Sequence, residues 1–242
     1  MTTPSAETPL ELIAMHGWAG DGSGWEPWRQ ATAGRPWSWN CGERGYGGRP
    51  PAQPRWQGKG KRVLIGHSMG PHLLPPELIA EAEAVVLLTS FGRFVPPGRE
   101  GRSMTAALAA MATALADGPE EASARERVRA LLTTFLATAA SPDPASLLPP
   151  GPADPPIGPA ERALLRDDLA LLGRCQGLPP GFPAGRPVLI VEAGADAIVP
   201  PSMRAALRES LPDATVLPFP QAGHALLSAP LIPPVLEWIA SH

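Results

Sequence analysis

The pentapeptide Gly66-His67-Ser68-Met69-Gly70, set directly behind the apolar run Val63-Leu64-Ile65, constrains this chain more than any other segment. A G-x-S-x-G motif at the end of a buried strand is the pattern of a nucleophile elbow, a tight strand-to-helix turn with serine at its tip. The geometry dictates the residue types. The serine adopts a strained backbone conformation, and the glycines two positions before and after let the flanking segments approach closely. Such a turn lifts the Ser68 hydroxyl out of the sheet and aims backbone N–H groups at the place where an oxyanion forms.

The rest of the chain supports a sheet for this elbow to stand on. Short apolar runs at Leu10-Met15, Trp37-Cys41, Arg62-Ile65, Ala84-Leu88, Pro187-Glu192 and Ala214-Pro218 alternate with helical or looped segments. That alternation predicts an α/β fold with a mostly parallel sheet flanked by helices. Between Phe91 and about Pro183 the character changes to helices near Met104-Ala116, Glu120-Ala139 and Pro159-Leu172, with a proline-rich loop from Pro142 to Pro159. In the second helix Val128, Leu131, Leu132, Phe135 and Leu136 form one apolar stripe. A helical insertion behind an elbow is a lid, so residues 93–183 are expected to cover a core made of 1–92 and 184–242. Pro71, Pro75 and Pro76 are expected to shorten the helix that leaves the elbow.

Composition excludes several classes. A net charge of -3 suggests neither nucleic acid nor an anionic membrane as partner. No apolar run nears the roughly 18 residues of a membrane span, and Met1-Leu12 has no signal-peptide layout. The two cysteines, Cys41 and Cys175, lack metal-ligand spacing, and no histidine-carboxylate cluster suggests a metal. A reduced, cytoplasmic, monomeric protein without cofactor is the expectation. The 33 prolines and 25 glycines approach a disorder-prone level, but the strand-like runs decide against disorder.

A serine needs a base, and the base an orienting group. Behind the elbow, the run Val188-Val191 leads to Asp196, with Glu192 and Asp213 as weaker candidates for the orienting acid. The loop Thr89-Ser90-Phe91, the other place for such an acid, holds no carboxylate. His224, in Gln221-Ala222-Gly223-His224-Ala225, opens the final helix in this reading and is the natural base. The order Ser68, Asp196, His224 is the order this chemistry requires in such a fold. The first strand ends in His16-Gly17-Trp18, where the backbone N–H of Trp18 is expected to supply one oxyanion donor and the N–H of Met69 the other. His16 shapes this loop, His67 is a spacer within the elbow, and His72 is structural.

With these residues in place, the chain resembles the α/β-hydrolase superfamily over nearly its full length, with the helical lid inserted after the sixth strand of the fold. Asn40 to Gly48 resembles the superfamily's D-x-R-G-x-G-x-S loop, with Asn40 at the usual aspartate and Arg49 in place of the serine. Within the superfamily it is most similar to the pimeloyl-[acyl-carrier protein] methyl ester esterases of biotin synthesis. The residues that carry this are His16-Gly17-Trp18 with Trp25, the segment Thr134-Phe135-Leu136-Ala137-Thr138-Ala139, and Asp168-Leu169. The resemblance implies a serine carboxylesterase whose substrate site is lined by Trp18, Ser68, Met69, Phe135, Leu136, Ala137, Thr138, Ala139 and His224.

Such an enzyme hydrolyses an ester carried by an acidic acyl-carrier protein, which needs a basic landing area. The lid offers Arg125, Arg127 and Arg129, then Arg162, Arg166 and Arg174, although Glu120, Glu121 and Glu126 are interleaved. Arg125 and Arg129 share a helical face beside the apolar stripe and are the expected contacts. Other readings of the same motifs are a short-acyl esterase or thioesterase, a hydrolase of carbon–carbon bonds, and a non-catalytic receptor for a small ligand.

Overall fold

A computed structural model describes residues 7–118, 121–151 and 157–242. Six strands form one all-parallel sheet in the order β2-β1-β3-β4-β5-β6, comprising β1 (Leu10–Met15), β2 (Trp37–Cys41), β3 (Lys61–His67), β4 (Ala84–Leu88), β5 (Val188–Ala193) and β6 (Thr215–Phe219). The interior strands β1 and β4 are buried along their whole length, as expected where helices cover both faces of a parallel sheet.

The pleat divides their side chains between two cores. Leu12, Val63, Ile65, Val86, Leu189 and Val191 face a cluster with Trp25, Trp28, Val235 and Trp238. Ile13, Leu64, Val85, Leu87 and Ile190 face the other way, against Leu78, Ile79 and Leu207. The first cluster takes in α1 (Glu26–Ala31) and the second α2 (Pro76–Ala80).

Three helices, α3 (Gly98–Ala114), α4 (Glu121–Ala140) and α5 (Pro159–Arg174), lie between β4 and β5. The insertion therefore follows the fourth strand of this sheet. The helices close on a third apolar cluster that includes Trp18, Phe91, Leu132, Leu165 and Leu169. Glu120 lies outside the described residues.

The expected shortening of the elbow helix is present. A single 3-10 turn, Gly70–Leu73, is followed by extended Leu74 and the five-residue α2. A residue before proline is driven out of the helical region, and Leu74 sits at ψ 149° ahead of Pro75. The histidine end of the chain departs from expectation. His224 does not open the last helix; it sits in a turn, and after α6 (Pro201–Ser210) the final helix α7 runs only from Ile232 to Ser241. Prolines at 230, 233 and 234 place the helix start there. Among the described residues, no helix is long and apolar enough to cross a membrane.

Candidate active site

The strand order reverses between β1 and β3, and in open α/β sheets the crevice beyond the carboxyl ends at such a point is where ligands bind. Ser68 stands there, directly after β3, at φ 55°. This left-handed conformation is uncommon for any residue but glycine. Its neighbours explain how it is held. A Cβ on Gly70 would collide with the Met15 carbonyl, and one on Gly66 would occupy the Pro71 ring. A Cβ on Gly17 would lie 2.8 Å from Ser68 Cβ and 3.3 Å from its Oγ. Thus the loop after β1 and the elbow touch through a glycine, with the serine hydroxyl at the contact.

That loop is shaped by His16, as expected. Its Nδ1–H donates to the Gly17 carbonyl at 2.9 Å, and its Nε2 accepts the Arg44 backbone N–H at 3.2 Å. Ala19 turns left-handed at φ 55°, and Gly20 N–H closes the turn on Gly17. Among the described residues, no hydrogen bond engages the backbone N–H of Trp18 or of Met69, although both residues are buried. One of these N–H groups directly follows Ser68 in the chain, and the other directly follows Gly17, which packs against Ser68.

The acid and the base meet. His224 Nδ1–H donates to Asp196 Oδ2 at 2.9 Å, while Asp196 Oδ1 accepts the backbone N–H groups of Ile198 (2.7 Å) and Val199 (2.8 Å). Burial alone would raise the Asp196 pKa, but the His224 bond and these two N–H groups outweigh it and hold the carboxyl below its ordinary value. The competing carboxylates are elsewhere: Glu192 pairs with Arg208 at 2.7 Å, and Asp213 is exposed. Ser68 and His224 line one cavity of about 530 Å³, but no hydrogen bond joins them. Catalytic hydrogen bonds are often open in an unliganded site and tighten on binding.

His67 is more than a spacer. Its Nε2–H donates to the His224 carbonyl at 3.1 Å, and the two rings lie 5.2 Å apart. Burial, with the neighbouring His224 ring, lowers its pKa to about 4. An unfolded histidine titrates near 6.5, so the folded form binds fewer protons between those values. Stability from neutral His67 is therefore complete above pH 6.5 and is lost as pH falls towards 4, about 2 kcal/mol by pH 5. In urea unfolding at pH 8 and pH 5, His67→Gln should lose correspondingly less stability than the parent. An equal loss in both would assign the acid sensitivity to other groups. His72 is structural as read, donating to the Phe91 carbonyl at 2.9 Å and stacking on its ring.

The inserted helices reach this site through two ties. Trp18 Nε1–H donates to the Leu165 carbonyl of α5 at 2.8 Å, and the Phe135 ring meets the Trp18 ring edge-on at 4.8 Å. Deeper, buried Asp168 accepts Arg44 Nε (2.9 Å), Arg44 Nη2 (2.6 Å) and Tyr46 Oη (2.6 Å). In the sequence Arg44 and Tyr46 belong to one loop motif and Asp168 to a separate one.

Of the expected substrate contacts, Trp18, Ser68, Phe135, Leu136, Ala139 and His224 line the cavity. Ala137, Thr138 and Met69 are not part of that wall. Helical periodicity turns 135, 136 and 139 to one side, leaving Ala137 exposed and Thr138 hydroxyl-bonded to the Thr134 carbonyl. The Met69 side chain is buried in the cluster beneath the inserted helices.

The arginines also divide. Arg125 is exposed and bonded to Glu121 at 3.0 Å, and Arg129 is exposed. Arg162 is not a surface cation. Its side chain is 2% exposed, clamped by Asp117 and Glu121 and donating to the Ile157 carbonyl, because it bridges α5 to the α3–α4 connection.

No protein-family model matches the chain, and no curated protein matches it. Solved structures do. An esterase from Exiguobacterium antarcticum is 13% identical, with 97% of this chain and 90% of that one covered at a TM-score of 0.64. ClbQ from the colibactin NRPS/PKS pathway is 14% identical, covering 97% of this chain and 96% of that one at 0.59. The RedJ thioesterase of the prodiginine pathway in Streptomyces coelicolor is 16% identical, covering 100% and 96% at 0.55. Identities this low speak for architecture alone, and with the all-parallel sheet and its flanking helices they establish that the chain has the α/β-hydrolase fold.

Proposed function

We propose that this protein is a serine hydrolase of carboxylic esters or thioesters. Ser68 is the nucleophile, His224 the general base, Asp196 the group that orients it, and the N–H groups of Trp18 and Met69 the oxyanion donors. The observation that carries the reading is the buried His224–Asp196 pair opening onto the same cavity as a serine held at φ 55°. The esterase and thioesterase names of the structural neighbours agree with it.

In the reaction, Ser68 Oγ bonds to the carbonyl carbon while its proton passes to His224 Nε2. The carbonyl oxygen becomes an oxyanion held by the two N–H groups. Collapse breaks the bond to the alcohol or thiol, which takes the proton from His224. Water then repeats the sequence against the acyl-enzyme and frees the acid and Ser68. A fluorophosphonate should label Ser68 covalently; a protein that binds ligand but forms no adduct would be a receptor rather than an enzyme.

The finer proposal is that the substrate is the methyl ester of a pimeloyl chain on acyl-carrier protein, with methanol leaving. Its support is the resemblance around Trp18 and Phe135–Ala139, together with a cavity edged by Trp18, Phe135 and Leu136 that suits a methylene run. In this proposal residues 93–183 act as the lid, and Arg125 and Arg129 contact the carrier. Neutralising both should raise KM for a carrier-bound ester and spare a p-nitrophenyl ester. Equal effects on the two substrates would remove the docking idea.

A further inference from the structure

We propose that Thr89 and Ser90 are positioning residues whose two hydroxyls set the spacing between nucleophile and base; the proposal rests on the serine-hydrolase reading above. The pair leaves β4, the strand between the one that ends at Ser68 and the one that leads to Asp196. Ser90 Oγ–H donates to the Ser68 carbonyl at 2.7 Å. Thr89 Oγ1–H donates to the His224 carbonyl at 2.9 Å. Two consecutive side chains thus hold the backbones of the two residues that must exchange a proton.

The main chain completes the clamp. Ser68 N–H donates to Leu88 O at 2.8 Å, so both peptide groups around Ser68 are tied to the exit of β4. Thr89 N–H donates to Val191 O at 2.9 Å, fixing the same exit to β5. The second lone pair of the His224 carbonyl receives the His67 Nε2–H. With both backbones held, side-chain torsions of Ser68 and His224 are what remains to close the Oγ–Nε2 hydrogen bond that is open in this structure.

Thr89 also carries the mark of a residue kept for its side chain. Its φ is 43°, left-handed, where a β-branched residue is strained and glycine is not. Glycine would serve the backbone better but would lose the hydroxyl. Neither Thr89 nor Ser90 lines the cavity, and both are buried. Their effect should fall on turnover, not on ground-state binding.

The full chain carrying Thr89→Gly, Thr89→Ser or Ser90→Ala, with Ser68→Ala as control, is assayed with p-nitrophenyl butyrate, by the rate of fluorophosphonate labelling, and by thermal melting. A misplacement of about 1 Å costs up to about 100-fold in rate. Thr89→Gly should therefore lower kcat about 30-fold with KM within about twofold and Tm nearly unchanged. Thr89→Ser should recover to within about threefold of the parent, and Ser90→Ala should lose about tenfold in kcat. A folded Thr89→Gly with parental kcat and labelling rate overturns the clamp, as does a kcat loss that merely follows a loss in Tm. Should Thr89→Gly fail to fold, parental kcat in Ser90→Ala overturns it instead. If the parent itself is unlabelled, or Ser68→Ala labels and turns over normally, the serine-hydrolase reading has failed and the clamp falls with it. Ser68-dependent labelling alongside a parental Thr89→Gly removes the clamp alone.

Discussion

Ser68→Ala should reduce kcat for p-nitrophenyl butyrate by a factor on the order of 10⁶, the size of loss typical when a nucleophile of this kind is removed. The expectation comes from how the alcohol is activated. An unassisted hydroxyl is a weak nucleophile, and here the base that would take its proton is pinned to a buried carboxylate at 2.9 Å. Asp196 stays ionised well below neutral pH, so it holds His224 in the tautomer whose Nε2 is free to accept. His224→Ala should cost about as much as Ser68→Ala, and the double variant hardly more, because the two act as one unit. What remains should be the contribution of the oxyanion donors and binding, about 10³-fold over water. Steady-state rates of the purified variants decide the matter. A Ser68→Ala protein retaining a tenth of parental activity would move the chemistry to another residue.

Asp168→Ala should destabilise the fold by about 3 kcal/mol, because breaking a buried ion pair strands its partner. The Arg44 side chain is 29% exposed and can turn partly to water, which holds the loss to the lower end of the usual range. Tyr46 has no such escape, since it is fully buried and its hydroxyl donates only to Asp168. For a chain of this size the melting temperature should fall by about 10 °C. Activity should fall as well, since α5 also carries the Leu165 carbonyl that anchors Trp18 beside the elbow. Glu121→Ala would mix two roles because Glu121 also clamps Arg162, so Arg29→Ala is the cleaner surface control; its exposed pair with Glu26 should be worth under 1 kcal/mol. Urea unfolding of both variants provides the comparison, and an Asp168→Ala loss no larger than the surface control would show that the cluster does not hold the helices down.

The chain announces its strands because they are short apolar runs ended by glycine, proline or polar residues. β1, β2 and β4 begin and end where those runs do. The first inserted helix is less sharply marked in the sequence. It starts at Gly98 rather than Met104, since Gly98-Arg99-Glu100-Gly101 has no apolar period to detect. Motif residues at strand ends, Ser68, Asp196 and His224, were legible because the fold's connectivity fixes their order. What periodicity cannot carry is a hydrogen bond between distant polar residues. Arg44, Tyr46 and Asp168 meet across separations of 122 to 124 residues, and nothing in the local pattern of any one names the others. Thr89 and Ser90 are silent in the sequence for a related reason: two hydroxyls carry little information until their acceptors are known.

The order in which the sheet recruits its strands has a consequence for a chain still on the ribosome. Ser68 precedes both of its proposed partners: the carboxylate and imidazole lie behind β5 and β6, beyond the whole helical excursion. A domain generally folds as a unit, so under the proposed function the Ser68 alcohol has neither partner while the polypeptide ahead of β5 is being made. In that reading a product truncated before residue 224 lacks the base and should remain chemically silent.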